Sequence, residues 1–202
     1  MRVRRAVRLK TVMLLICTLL FSTVPVMAAS VHPGAIEPQP CFNLDLSTGT
    51  TQPFVTDAIG TLDPDWWVTA SPDPNLPVPG PVYSITPAPS WYTTTGANWV
   101  DPYNTGFGKD ASGAYTGMDP VGDYTFATTF NLTGALYSNF VLHVAIYAAD
   151  NKVELFLDGN PTPLGPAAGF GLPNSTAVQG PLSVAIGPGS HTLEAKVHNI
   201  SW

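Results

Sequence analysis

Prolines punctuate this chain so often that long helices are excluded from most of it. Twenty-one are spread from Pro25 to Pro188, with clusters at Asp63-Pro64, Ser71-Pro72, Asp73-Pro74, Pro79-Gly80-Pro81 and Pro87-Ala88-Pro89. Each removes a backbone donor and collides with the preceding turn of a helix. Only short segments remain between them, and Trp66 to Thr69, Tyr83 to Thr86 and Trp99-Val100 read as strands. Charged residues make up only 11% of the chain, too few for solvated helical surfaces. Residues Pro102 to Asp119, rich in Gly, Tyr and Ser, read as a loop.

Where prolines thin out, the apolar residues take a period of two. Tyr124, Phe126, Thr128, Phe130 and Leu132 share one face of a segment from Asp123 to Leu132. From Asn139 to Ala148, Phe140, Leu142, Val144, Ile146 and Ala148 face one way, and the opposite face is also mostly apolar, which predicts a central strand. Val153, Leu155 and Leu157 give another strand, closed by a turn at Asp158-Gly159-Asn160-Pro161. Further strands follow at Leu182 to Ile186 and Thr192 to His198. Short alternating strands joined by turns predict an all-β, antiparallel sandwich or barrel, and no fixed-period repeat points to a propeller or solenoid.

The first 28 residues stand apart. Arg2, Arg4, Arg5, Arg8 and Lys10 precede an apolar run from Val12 to Val26, and Met27-Ala28-Ala29-Ser30 supplies small residues at its exit. That order predicts a cleavable signal peptide over residues 1–28, cut before Ala29. The run is short for a bilayer span and is broken by Ser22, Thr23 and Pro25. Its strongly apolar core favours Sec over twin-arginine export, and Cys17 lies inside the apolar run, not in a lipid-attachment setting. Residues 29–40 read as a flexible lead-in, and 41–202 as a single domain. Beyond residue 28 the chain has no arginine, and Lys109, Lys152 and Lys196 stand against fourteen acids, a net −11. Such a surface repels phosphate backbones and anionic lipid, which excludes nucleic acid as a partner. Cys41 is the one cysteine after the leader, so it has no partner there for an intrachain disulfide.

A recurring set of segments carries a family resemblance. Thr48-Gly49-Thr50, Leu62-Asp63-Pro64-Asp65-Trp66 and Ala97-Asn98-Trp99-Val100-Asp101-Pro102 open it. Gly122 to Leu132, Ala148 to Asn151, Val153 to Gly159 and Gly189 to Leu193 continue it. Over residues 44–201 the chain resembles secreted bacterial β-sandwich modules related to galactose-binding-like jelly rolls. The resemblance lies in scaffold features, so it implies a fold more than an activity. Such modules continue past the strand His191 to Asn199 with a Gly-containing final strand, whereas this sequence stops at Trp202. The resemblance therefore implies C-terminal truncation, with the missing strand a source for the partner of Cys41. The sorting tail found on some such proteins is not in the sequence.

Catalytic signatures are scarce. There is no Gly-x-Ser-x-Gly elbow, zincin helix motif, EF-hand loop or phosphate loop, since Asp110 follows Gly106-Phe107-Gly108-Lys109 where Ser or Thr is required. His191 and His198 are seven residues apart and face opposite ways in a regular strand. The aromatic set Trp66, Trp67, Trp91, Tyr92 and Trp99 is the more informative feature. Trp66, Trp91 and Tyr92 are candidates for a platform on which sugar rings stack, against the ordinary role of Trp as a core anchor. Trp66 and Trp67 must face opposite sides of a strand, and Trp99 reads as structural. Asp63, Asp65 and Asp101 are candidate calcium ligands, calcium being common in jelly-roll modules, and turn capping is the competing role. Asp150-Asn151 reads as turn chemistry.

These readings converge on a secreted or cell-surface, non-catalytic β-sandwich that binds a glycan or another surface polymer. The rival is a structural or adhesive surface protein without a small ligand, and a glycosidase-like enzyme comes last. The mature chain is expected to have no membrane span.

Overall fold

The computed structural model describes residues 13–22, 43–52, 55–86, 92–104, 119–132, 140–169 and 178–200. All regular structure among them is strand, and no helix among them is long and apolar enough to cross a membrane. In chain order the strands are β1 (Met13–Ser22), β2 (Asn43–Asp45), β3 (Thr50–Gln52), β4 (Val55–Thr56), β5 (Leu62–Ala70) and β6 (Gly80–Ile85). They continue with β7 (Trp99–Asp101), β8 (Gly122–Asn131), β9 (Phe140–Asp150), β10 (Lys152–Leu157), β11 (Leu182–Ile186) and β12 (Ser190–Asn199). Pairing is antiparallel throughout, in the order β10-β12-β8-β5-β6-β7-β1-β9-β11, with β2 added to β1 and β3-β4 forming a small separate ribbon.

The alternation of the second half becomes the register of this sheet. β12 lies between β8 and β10, so that Val197 is opposite Tyr124 and Val153, and Ala195 is opposite Phe126 and Leu155. Directly opposed residues of an antiparallel pair share a face, and these face inward. The sheet curls until β9 packs against β10 and β12, which encloses a common core. Trp66, Val68, Val82, Tyr124, Phe126, Leu142, Val144, Leu155 and Leu193 are fully buried in it. Burying one such side chain contributes about 1.5–3 kcal/mol, so this shared face stabilises the curl.

β9 is central, as its two apolar faces predict, with β1 along one edge and β11 along the other. Past Val144 its faces swap at a register shift against β1: Tyr147 and Ala149 join the main core, while Ile146 and Ala148, expected on the face of Phe140, Leu142 and Val144, go to a smaller cluster with Ile85, Ala97 and Trp99. Two further features differ from the sequence reading. β5 begins at Leu62, so Asp63-Pro64 lies inside a strand, where the register with β6 shifts between Leu62 and Trp67. And the apolar run of residues 13–22, expected to belong to a cleaved signal peptide, forms β1 within the sheet. An uncharged apolar run can satisfy its main chain in a sheet as well as in a helix, so its composition alone does not exclude this.

Candidate binding face

β5 sorts its two adjacent tryptophans by the pleat. Trp66 points inward, is 0% exposed, and donates its indole Nε1–H to the Leu46 carbonyl at 2.8 Å. It is an anchor of the core, and the sugar platform expected of it has no open ring face here. Trp67 points outward and is 48% exposed. Trp91 lies outside the described residues, as does Cys41. Tyr92 is 43% exposed, but its carbonyl accepts the Nε1–H of buried Trp99, which fixes it beside the smaller cluster. The structure therefore does not gather Trp66 and Tyr92 into one platform.

Trp67 belongs to a different assembly, the outer face of β5-β8-β12-β10. Its register partner on β8 is Ala127, which is opposite Glu194 on β12, which is opposite Phe156 on β10. The next row outward along the strands is Thr125, Lys196 and Glu154, and the one after that is Asp123, His198 and Lys152. These last six residues line an open groove of about 440 Å³. Within it Lys152 Nζ lies 2.8 Å from Glu154 Oε2, and His198 Nδ1 lies 2.5 Å from Asp123 Oδ1. Lys196 Nζ stands 4.5 Å from the centre of the Phe156 ring, a cation–π contact that orients the lysine over β10.

The composition of this groove is unusual for the chain. Two of the three lysines found beyond residue 28 line it, next to a histidine and two carboxylates. Donors and acceptors of both signs thus converge on one strip, flanked by an exposed indole. Such a strip can hydrogen-bond a polyhydroxylated chain while the indole stacks on an apolar ring face. Sequence reasoning missed it because its parts come from four strands. The period-two pattern does contain it, as the residues alternating with the core positions of β8, β10 and β12.

The candidate calcium ligands fall into two places. Asp63 Oδ2 accepts the Gly49 N–H at 2.6 Å, and Asp63 Oδ1 accepts the N–H groups of Asp65 and Trp66 at 2.9 and 3.0 Å. Gly49 has φ +65°, and a Cβ there would sit 2.5 Å from Asn98 Cβ, so glycine is required for this approach. Burial pushes the Asp63 carboxyl up to about 6, against the three N–H bonds that pull it down. Asp65, exposed, is also raised, by partial burial and then by the charges of Asp45 and Asp57. Asp101 is fully buried elsewhere and accepts the Tyr103 N–H at 2.6 Å. Among the described residues no three His, Cys, Asp or Glu side chains are grouped as metal ligands. Asp63 caps the N–H groups that join the loop before β3 to the start of β5.

Asp101 belongs to a buried knot that the sequence does not announce. Burial, and then the neighbouring carboxyl of Asp119, hold Asp101 well above the usual carboxylate range. Two buried carboxyls so close disfavour a second negative charge. Tyr103 donates its hydroxyl to buried Asp73, whose other oxygen accepts the Asn75 N–H at 2.8 Å. Asn199 Nδ2 donates to the Asp119 and Pro120 carbonyls, tying the end of β12 to the same knot. Burial pushes the Tyr103 and Tyr124 hydroxyls up as well. The arrangement joins three loops and acts as a latch.

The remaining histidines among the described residues are held apart from one another. His191 bonds Asp158 Oδ2 at 2.8 Å and the Gly187 carbonyl at 3.0 Å, and His143 bonds Ser183 Oγ at 2.9 Å. Asn151 donates to Asp150 Oδ1 and accepts the Ile200 N–H, which ties the β9–β10 corner to the chain after β12; β9 and β10 are not paired, so the pair does not close the tight hairpin read for it. In comparisons with known proteins, no family model, curated protein or solved structure matches the chain.

Proposed function

We propose that this chain is an exported, non-catalytic β-sandwich of jelly-roll type that binds a glycan or another polyhydroxylated surface polymer. On this reading residues 1–28 direct export and are removed before Ala29, and the mature acidic domain works outside the cell. The observation that carries the binding reading is the outer face of β5-β8-β12-β10, where exposed Trp67 flanks the groove of Lys152, Glu154, Lys196, Asp123 and His198. The exposed indole of Trp67 offers an apolar face on which a sugar ring can stack without a deep pocket. The mixed charges of the groove supply directional contacts to hydroxyls and suit a neutral or weakly charged polymer. A strongly anionic polymer would meet the net negative charge of the domain.

Titration with soluble polysaccharides, followed by tryptophan fluorescence and by retardation in polysaccharide-containing native gels, tests this. The expected result is quenching and retardation with at least one polymer, lost in Trp67→Ala and weakened in Lys196→Ala. If a broad glycan array and pull-downs on insoluble polysaccharides are both blank, the structural or adhesive reading replaces this one.

A further inference from the structure

The outer face of β5-β8-β12-β10 carries one cation that its own acids leave alone. Lys152 Nζ closes on Glu154 Oε2 at 2.8 Å, and Asp123 Oδ1 is taken by His198 Nδ1. Lys196 is exposed, and among the described residues it forms no ion pair. Glu154 is its register partner on β10, but that carboxylate turns along its own strand to Lys152. The contact Lys196 does make, with the Phe156 ring at 4.5 Å, holds the ammonium in place and leaves its charge unneutralised. Beyond residue 28 fourteen acids face three lysines, so a lysine without a carboxylate is the exception in this chain. Its position adds a direction. Phe156 ends the register row that begins at Trp67 and passes through Ala127 and Glu194. Three strand-to-strand steps, roughly 14 Å, separate the indole from the ring beneath Lys196. Ala127 is the smallest side chain of that row and leaves a low floor beside the indole.

We infer that this face selects a sugar chain bearing isolated single negative charges, a uronate carboxylate or a sulfate ester, with the charged group at Lys196 and a ring of the same chain on Trp67. The inference rests on the glycan reading of this face and narrows it. A sugar hydroxyl can accept a hydrogen bond from the ammonium, but only an anion also neutralises its charge. Lysine is a compact point charge that requires no fixed fork geometry of its partner, so either kind of anion satisfies it. The acids around it set the upper limit. Glu154 is opposite Lys196, Glu194 precedes it by two residues on the same strand, and Asp123 lies one row further along. With these carboxylates and a net −11 beyond residue 28, one spaced charge is accepted and a densely charged polyanion is repelled. The row from Trp67 to Phe156 also sets how the ligand lies, across the strands from β5 to β10.

Calorimetry and affinity electrophoresis with matched pairs of polymers test this. One pair is a xylan with scattered glucuronic acid and the same xylan after reduction of its carboxyls to alcohols. The other is a sparsely sulfated galactan and its desulfated form. With at least one pair the wild-type protein should bind the charged member about fivefold tighter or more at low salt, the scale of an exposed ion pair. The pair that responds identifies the anion. The preference should shrink at about 1 M salt, where charges beyond about 3 Å are screened. Lys196→Gln, checked for an unchanged melting temperature, should bind the two members of that pair equally. Glu154→Gln, which releases Lys152, should widen the preference. Polygalacturonate, charged at every residue, should bind more weakly than the scattered glucuronoxylan. Equal affinity of the wild type for both members of each pair, or a broad array that retains neutral glycans alone, overturns the inference and leaves the glycan reading standing. A preference that persists in Lys196→Gln overturns it too, because the charge is then read elsewhere. Blank results across the pairs and the array defeat the glycan reading and this inference with it.

Discussion

A buried carboxyl that accepts three backbone N–H groups leaves a signature in both stability and pH dependence. Asp63 binds the N–H groups of Gly49, Asp65 and Trp66 through its two oxygens, and an amide in its place must turn an NH2 toward one of those donors. Asp63→Asn is expected to cost about 1–3 kcal/mol, measured by urea unfolding. The sign with pH follows from the raised value. Folded Asp63 titrates near 6 and the unfolded group near 3.8, so between these values the folded chain holds the extra proton. Stability from this group is fully present below 3.8 and is lost as pH rises through about 6. Asp65 and Asp101 are raised in the same direction, so the melting temperature should rise on acidification from about pH 7 to about pH 5. Asp63→Asn should flatten part of that rise. Asp158 opposes this at lower pH. Burial raises its carboxyl, but His191 and the Thr192 N–H lower it further, so its contribution is lost only as pH falls below 3.8. The adjacent tryptophans divide in the same residue-by-residue way. Trp66→Ala should cost about 3–5 kcal/mol, and Trp67→Ala should leave the melting temperature nearly unchanged.

At the level of elements, the second half of the chain was legible because each strand lies between a core and solvent. Tyr124, Phe126 and Phe130 of β8, and Leu193, Ala195 and Val197 of β12, face the core as the period-two pattern requires. β9 was legible as central for the complementary reason, having apolar residues on both faces. The short strands β2, β3 and β4 were not, because two or three residues carry no period and their pairing is set by distant partners. Nor was the acid–tyrosine latch, whose members Asp73, Asp101, Tyr103, Asp119 and Asn199 come from widely separated segments. The β9–β10 corner supplies a sharp test of packing. Gly169 passes this corner with φ +155°, and a Cβ there would lie 1.5 Å from the Asn151 carbonyl oxygen. Gly169→Ala should therefore destabilise by more than about 1 kcal/mol, read as a lowered urea midpoint. It should also loosen the contact of Ala168 with Val153, seen as faster amide exchange at both residues.

For the whole molecule, one curled sheet separates three tasks. Its inner face holds the core, one end carries the acid–tyrosine latch, and its outer face on β5-β8-β12-β10 collects the exposed indole and the mixed-charge groove. The net −11 beyond residue 28 makes the gathering of two of three lysines on that face notable in function as well as in number. The sequence reading took Trp66 for the platform, because the pleat puts Trp66 and Trp67 on opposite sides without saying which side is the core. The partners Leu46 and Ala127 decide it. The central claim is that the Trp67 face binds a polymer. The most direct measurement is calorimetric or fluorescence titration of the wild-type protein and of Trp67→Ala, matched in melting temperature, with a polysaccharide retained in the array screen. The account predicts saturable binding to the wild type and at least a tenfold loss in Trp67→Ala, about 1.4 kcal/mol or more. Equal affinity of the two proteins would contradict it.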